Sequence, residues 1–373
     1  MLKAYRYRMY PNKNQIEMFH KHFGACRFIY NWALENKIKS YEQDGKSISR
    51  FDLNKGITIL KRDGEHEWLK DVNSQSLQGA TLNLDNAFTR FFREKRGFPK
   101  FKSKKNPVQA YSVPQNYKVD FENNKIYLPK IGNVKTILHR HYGDGDLKTA
   151  TVSRTPTGKY YISILVDSGL ETPKKSEFSE NNTVGIDVGI KDFVIISDGT
   201  KIANPSNLKK SIKRLKVLHK RLSRKQKGSK NREKVKIAIA KLHENISNQR
   251  HDFQHKLSSR LISENQAIAL ETLNVNGMLK NHCLAQSISD ASWSSFVSKL
   301  EYKAQWYGKT ILRIGQFEPS TKICNVCGYY NKDLTLADRQ WQCPDCGASH
   351  DRDVNAAINI KKFALNKQNL IGI

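Results

Sequence analysis

"TVGIDVGIKDFVIISDGT", residues 183–200, sets two apolar runs around Gly189 and Lys191. Short apolar runs bounded by turn residues read as buried strands, so the stretch predicts a buried strand that turns back into a hairpin partner. Asp187 stands inside the first run. A carboxylate in that setting is costly unless a cation or hydrogen bonds compensate it. Two further acids occupy comparable settings: Glu271 ends the apolar run "AIALE", and Asp353 heads the helical pattern "DVNAAINIKKF". Taken singly, Asp353 reads equally well as a helix N-cap and Glu271 as a strand-end surface acid. Three such residues on three rigid elements point instead to a shared metal.

Carboxylates from separate elements can hold two hard divalent cations through oxygen, as Mg²⁺ requires. Two ions about 4 Å apart clamp an in-line phosphodiester displacement, and hydrolysis then needs no covalent protein nucleophile. The rest of the composition names the same kind of substrate. Of 373 residues, 64 are Lys or Arg against 35 Asp or Glu, a net charge of +29 that normally reports a polyanionic partner. A membrane surface is the competing partner, but the sequence has no long apolar run and its start, "LKAYRYRMYP", is charged throughout. A soluble cytoplasmic protein is therefore expected.

Working outward, the chain is long enough for two or three domains. "AYRYRMY" alternates at a period of two, as a half-buried strand does, and Pro11-Asn12 ends it. Ile16, Phe19, Phe23, Tyr30 and Leu34 recur at helical spacing, and a second stripe runs from Ser74 through Leu77, Leu84, Phe88 and Phe92. Residues 90–105 then interleave eight basic residues with Phe91, Phe92, Phe98 and Phe101, a mixture suited either to core packing or to base stacking beside phosphates. "KIYLP", "VKTILHR", "TATVSRT" and "KYYISILVD" predict a small β-barrel or sheet that the first strand can join, and the polar segment 168–182 a linker.

Past the hairpin, residues 207–241 carry 15 Lys or Arg and one acid, Glu233, on Leu208, Ile212, Leu215, Leu218 and Leu222. This is an amphipathic basic helix, broken at "KQKGSKN" and returning through Leu242, Ile246, Phe253, Leu257 and Leu261. Its cations suit phosphates, with affinity that falls steeply with salt. "QAIALETL" predicts another buried strand. "DASWSSFVSKLEYKAQWYG" predicts a helix with Trp293, Phe296, Leu300, Lys303 and Tyr307 along one side.

Cys324, Cys327, Cys343 and Cys346 form two CxxC pairs separated by 15 residues. Four thiolates at this spacing predict a closed, structural Zn²⁺ ribbon, favoured over an iron–sulfur cluster. His350 is then a surface or supporting residue rather than a fifth ligand. Cys26 and Cys283 are expected to be small packing residues. A zinc-pinned hairpin running straight into "HDRDVNAA" delivers Asp353 with little slack.

Strand with Asp, hairpin, later strand ending in Glu and final helix with Asp is the order of an RNase H-like α/β nuclease core. "GIDVGIKDFVIISDG", "ALETLNVNGM", "PSTKICNVCG" and "HDRDVNAAINI", with "GFPKFKSKK" upstream, resemble the OrfB/TnpB family of insertion-sequence proteins over essentially the whole chain. The resemblance implies an RNA-guided DNA endonuclease with a RuvC-type domain, partnered by guide RNA and double-stranded target DNA in a prokaryotic cytoplasm and associated with the nucleoid. It implies catalytic, Mg²⁺-binding roles for Asp187, Glu271 and Asp353, the last preferred over Asp351 because it precedes "VNAA". It further implies a β-rich, wedge-like domain from 1–12 and 107–178, a helical recognition domain over 13–106, and a RuvC-like nuclease domain over 179–373. A basic helical hairpin, 207–260, and the zinc ribbon, 319–349, are inserted in the last. Lys100, Lys102, Lys104, Lys209, Lys210, Lys213, Arg214, Arg221 and Arg224 are the expected nucleic-acid contacts. The family commonly has an acid after the glutamate where this chain has Thr272. A transposase that cuts and joins strands, or a regulator that binds DNA without cutting, are the alternative functions.

Overall fold

The computed structural model describes residues 1–335 and 337–369. Position 336 of the expected ribbon and the last four positions of the expected nuclease domain lie outside the described residues. The chain divides into two compact units, Met1–Glu171 and Thr172–Ile373.

In the first unit the period-two opening becomes β1 (Leu2–Tyr10), with Tyr7 and Met9 buried. Asn12 then starts α1 (Lys13–Asp44): its Oδ1 accepts from the Gln15 N–H while Gln15 Oε1 accepts from the Asn12 N–H, a reciprocal cap. The helix stops at Gly45, whose φ of 64° suits glycine. Next come α2 (Arg50–Leu60), a 3-10 turn and α3 (Ser74–Glu94). The strands that follow are β2 (Gln109–Val113), β3 (Lys118–Asp120), β4 (Lys125–Leu128), β5 (Gly132–Ile137), β6 (Asp146–Arg154) and β7 (Tyr160–Asp167). They form one sheet in the order β2-β6-β7-β1-β5-β4-β3, with β1 in the middle. Helices and sheet share one core: Phe19, Ile29, Leu34 and Leu77 lie in the same cluster as Tyr7, Ile162 and Ile164.

The basic-aromatic segment is held to α1 by Asn31, which donates to the Lys102 carbonyl (2.9 Å) and accepts from its N–H (2.7 Å). Phe88, Phe91 and Phe98 pack edge to face. Phe92 is 74% exposed although its ring lies against Phe88 and Phe91, and Phe101 is 56% exposed, so this segment divides between packing and exposed ring surface.

The second unit contains β8 (Thr183–Asp187), β9 (Asp192–Ile196), β10 (Lys201–Ala203), α4 (Asn207–Ser223), α5 (Lys230–Glu264) and β11 (Ala267–Glu271). It continues with α6 (Val275–Met278), α7 (Ala285–Ala291), α8 (Trp293–Trp306), β12 (Thr310–Ile314), β13 (Gln340–Gln342), β14 (Ser349–Asp351) and α9 (Arg352–Asn366). The main sheet is ordered β10-β9-β8-β11-β12. β8, β11 and β12 run parallel, and β9 and β10 reverse alternately.

Alternation along these strands sorts the two faces. Val184, Ile186, Ile268 and Leu270 pack with Leu257 and Leu261 of α5 and Phe296 and Leu300 of α8. The opposite face carries Gly185, Ala267 and Ala269, small enough for α9 to lie directly on the strands. A Cβ on Gly185 would stand 2.1 Å from the Ala357 carbonyl oxygen, so that position excludes every larger residue.

α4 and α5 form the basic hairpin around buried Leu215, Ile239, Leu242 and Ile246. On α8, Lys303 is buried as its helical spacing implies, its Nζ donating to the His255 carbonyl and the Ser258 and Ser259 hydroxyls. Tyr307 departs from that stripe: α8 has ended at Trp306, and the ring is 63% exposed. Cys26 is buried, but Cys283 is exposed on the turn before α7 and packs nothing. β12 corrects the sequence reading, which passed over the five residues "TILRI" because the charged Arg313 interrupts the run.

Candidate functional site

Asp187 and Glu271 are the last residues of adjacent parallel strands, β8 and β11, whose register pairs Leu270 with Ile186 immediately before them. Asp187 is two residues beyond Gly185 and Glu271 two beyond Ala269, so both side chains leave on the face that α9 covers. Asp353 lies in the first turn of α9. The close seating of α9 on Gly185 thus brings a carboxylate from a helix to two from strand ends.

Their proximity is visible in Asp187. Burial raises its pKa to about 7, with the Asp353 and Glu271 carboxylates adding to the rise and the Val188 N–H and Arg352 partly offsetting it. Glu271 is likewise raised by burial. Buried carboxylates such as Asp187 and Glu271 that resist ionisation are what a divalent cation relieves, and all three acids offer the oxygen donors that Mg²⁺ takes. In donor type the residues suit such an ion, although their oxygens are not gathered within 4.8 Å of one another as the cysteine sulfurs are.

Asp353 is held by arginines. Arg352 donates to Oδ1 from Nε (3.1 Å) and Nη2 (2.8 Å), and Arg339 donates to Oδ2 from Nη1 (3.2 Å). Asp351, its rival in the sequence, has a different task. It is the N-cap of α9, accepting from the Asp353 and Val354 N–H groups at 3.2 and 3.1 Å, and it pairs with Lys201. Burial opposes its ionisation, but Lys201 and those N–H groups outweigh burial and hold its carboxyl below the usual range. Thr272 supplies a structural bond in place of an acid, donating to the Ile314 carbonyl (2.7 Å) and tying together the ends of β11 and β12.

The second cluster is Cys324, Cys327, Cys343 and Cys346, whose sulfurs all lie within 4.8 Å of one another. Cys324 and Cys346 are 3.7 Å apart and Cys327 and Cys343 3.5 Å. Thiolates at about 2.3 Å from one zinc would stand about 3.8 Å apart, so the set fits a tetrahedral ion. His350 is buried rather than superficial, with Nε2 3.0 Å from Cys324 Sγ and its ring against Trp341. It supports the cluster through that contact.

Sequence reasoning missed the residues that fasten this ribbon to α9. Asn359 donates to the Ser320 and Ile323 carbonyls (2.7 and 2.6 Å), and Asn355 donates to Ile323 (2.7 Å) while accepting from the Asn325 N–H (2.9 Å). Both are buried. Their signal was available: two asparagines four apart on the apolar stripe of "VNAAINI". Arg339 was also missed, and nothing local in the sequence marks it.

The predicted nucleic-acid residues fall into two sets. Lys209, Lys210, Lys213, Arg214, Arg221 and Arg224 are all exposed on or just after α4 in the second unit. Lys100, Lys102 and Lys104 are exposed on the first unit's aromatic segment, with Lys102 Nζ 3.9 Å from the centre of the Tyr30 ring. No described helix is long and apolar enough to cross a membrane.

The mixed α/β architecture is shared with Cas12f1 at the level of fold. A Cas12f1 chain solved with sgRNA and target DNA aligns with 94% of this chain and 83% of its own length, with a TM-score of 0.58 and 18% identity. Residues 163–282 match the OrfB family of IS605 type, described as a probable transposase, and residues 293–360 the Cas12f1-like TNB domain. Residues 1–46 match that family's helix-turn-helix domain, although here they form one strand and one unbroken helix. A Streptomyces pristinaespiralis protein named "Putative RNA-guided DNA endonuclease" is 38% identical over 96% of this chain and 88% of its own. InsQ of Escherichia coli K12, named in the same way, is 33% identical over 96% and 91%. The chain belongs to the OrfB/TnpB family.

Proposed function

We propose that this protein is an RNA-guided DNA endonuclease that hydrolyses phosphodiester bonds at Asp187, Glu271 and Asp353. The observation that carries the reading is the placement of Asp187 and Glu271 at the ends of adjacent parallel strands beneath the helix that bears Asp353, with Asp187 raised by burial and by the two neighbouring carboxylates. The sheet order, with three parallel strands and an antiparallel edge, supports an RNase H-like, RuvC-type core. The names of the two bacterial relatives support guide RNA and target DNA as partners, and the reading takes that DNA to be double-stranded.

Asp187, Glu271 and Asp353 would hold Mg²⁺, two ions on this reading, which when bound activate water and stabilise the leaving oxygen. The chain's own part is to fix three carboxylates on rigid elements and to keep them poor in water. Zn²⁺ in the four-cysteine ribbon would be structural, holding the hairpin that leads into Asp353. Exposed cations on α4 and on the segment 100–104 would track phosphates, and the exposed ring surfaces of Phe92 and Phe101 would stack on bases. On this reading the helices of 13–106 and the β-rich remainder of the first unit serve recognition, the second unit cuts, and the protein works in the cytoplasm on nucleoid DNA.

The test is to incubate the purified protein with RNA copied from its flanking sequence, a matching plasmid and Mg²⁺. Guide-dependent breaks are expected. They should fall about 10³-fold or more in Asp187→Ala and Glu271→Ala, with RNA binding retained. Joined strands would favour transposition instead. Unchanged cleavage by Asp187→Ala would remove the acid site from the account.

A further inference from the structure

The two arginines on Asp353 are not equivalent. Arg352 is 7% exposed and precedes the acid it holds. The Arg339 side chain is 58% exposed and comes from the ribbon, fourteen residues earlier. Its backbone position is set by the hairpin: the Arg339 carbonyl accepts from the Arg352 N–H (3.0 Å), and Gln340 pairs with Asp351 in the next register step. Only the guanidinium is free to move.

Arg339 also lines a cleft of about 670 Å³, shared with Lys191, Lys209, Asn204, Ser206 and Ser287. Lys191 lies four residues beyond Asp187. The one acid in the lining, Asp290, is already engaged by Arg250 (2.8 Å) and by the Leu208 N–H (2.9 Å). Three cations, neutral hydrogen-bonding groups and a neutralised acid make a lining suited to a phosphodiester backbone. Arg339 therefore faces two anions that compete for one guanidinium: the Asp353 carboxylate, and a phosphate laid in the cleft.

We propose that Arg339 is a positioning residue that couples nucleic-acid occupancy of this cleft to the availability of Asp353 for a divalent cation. Without nucleic acid, its guanidinium covers Oδ2 of Asp353 and repels a cation there. A strand in the cleft draws the guanidinium to phosphate and frees that oxygen. Cation and strand then bind with positive cooperativity, and the acid site is assembled only when there is something to cut. The inference rests on the reading of Asp353 as a cation ligand.

The test uses the full-length, zinc-loaded protein and Mn²⁺, with free Mn²⁺ counted by electron paramagnetic resonance. Protein alone, Arg339→Ala should bind Mn²⁺ about tenfold more tightly than wild type. Arg339→Gln, which keeps the backbone bond to Arg352, should move in the same direction. A short phosphorothioate-linked DNA strand should tighten Mn²⁺ binding by wild type by a similar factor and leave Arg339→Ala unmoved. Arg339→Ala should also lose about one unit of salt slope in DNA binding. Equal Mn²⁺ affinity in wild type and both Arg339 variants, with weakened binding in Asp353→Ala, would overturn the coupling and leave the cation site standing. Unaltered Mn²⁺ binding in Asp353→Ala would overturn both.

Discussion

The second unit holds two groups of ligands that differ in readiness. The four cysteine sulfurs are already gathered within 4.8 Å of one another, and among the described residues they are the one such group identified. Asp187 feels the charge of the other two carboxylates, yet Asp353 is committed to Arg352 and Arg339. The difference follows from how each group is built. A CxxC turn brings two thiolates together within four residues, so only one tertiary contact is needed. The acids arrive from two strands and a helix, and like charges resist the last step of approach. One group is a fastening completed by folding; the other is a working site whose final geometry needs a ligand.

That contrast is sharpened most by removing the fastening. Cys346→Ser should lose ribbon zinc, since ligation is on the order of 10 kcal/mol in zinc-dependent folds. Cleavage should fall by about 100-fold, because β13, β14 and the start of α9 lose their anchor. Normal cleavage by a zinc-free, folded Cys346→Ser protein would break the link between the two groups. Cutting one strap is milder: Asn359→Ala should destabilise the unit by about 1–3 kcal/mol in denaturant titration, leaving the Ser320 carbonyl short of a donor and the Ile323 carbonyl with Asn355 alone.

The acid group has its own signature in pH. Asp187 and Glu271 are both raised by burial, Asp187 to about 7. Their protonated forms favour the folded state, so this stability is fully present below the unfolded carboxylate pKa of about 4 and is lost as pH rises to about 7. In metal-free protein, Asp187→Asn should flatten that fall in thermal melts, and excess Mg²⁺ should flatten it in wild type. A wild-type melt with no dependence across this window would count against the crowding. The smallest effect belongs to the surface. Replacing Lys209, Lys213 and Arg221 together by alanine should weaken RNA binding and reduce the salt slope by up to about three units, with the melt unchanged.

What could be read from sequence follows the same division. "CNVC" and "CPDC" are local chemistry, and Asp187 and Glu271 were marked by acids in apolar runs. The helical stripes of α1, α3 and α5 were equally visible, as was buried Lys303. Features that depend on partners far along the chain were not. β3 and β10 are three residues each and exist because a neighbour pairs with them. Arg339 has no local pattern; only the β13–β14 pairing sets it beside Asp353. The preference for Asp353 over Asp351 came from the family pattern before "VNAA"; the roles of Asp351 as helix cap and partner of Lys201 were not legible there. The small face of β8 and β11 was legible only in part: Gly185 and Ala269 looked like ordinary strand residues until α9 lay on them.

The central claim is that one divalent cation site draws on three distant acids. Anomalous scattering at the manganese edge, from crystals of the guided complex with a non-cleavable DNA target and Mn²⁺, tests it directly. The account predicts manganese bonded to oxygens of Asp187, Glu271 and Asp353, with the Arg339 guanidinium turned from Asp353 to phosphate. Manganese bound elsewhere, with Asp353 still paired to Arg339, would contradict it.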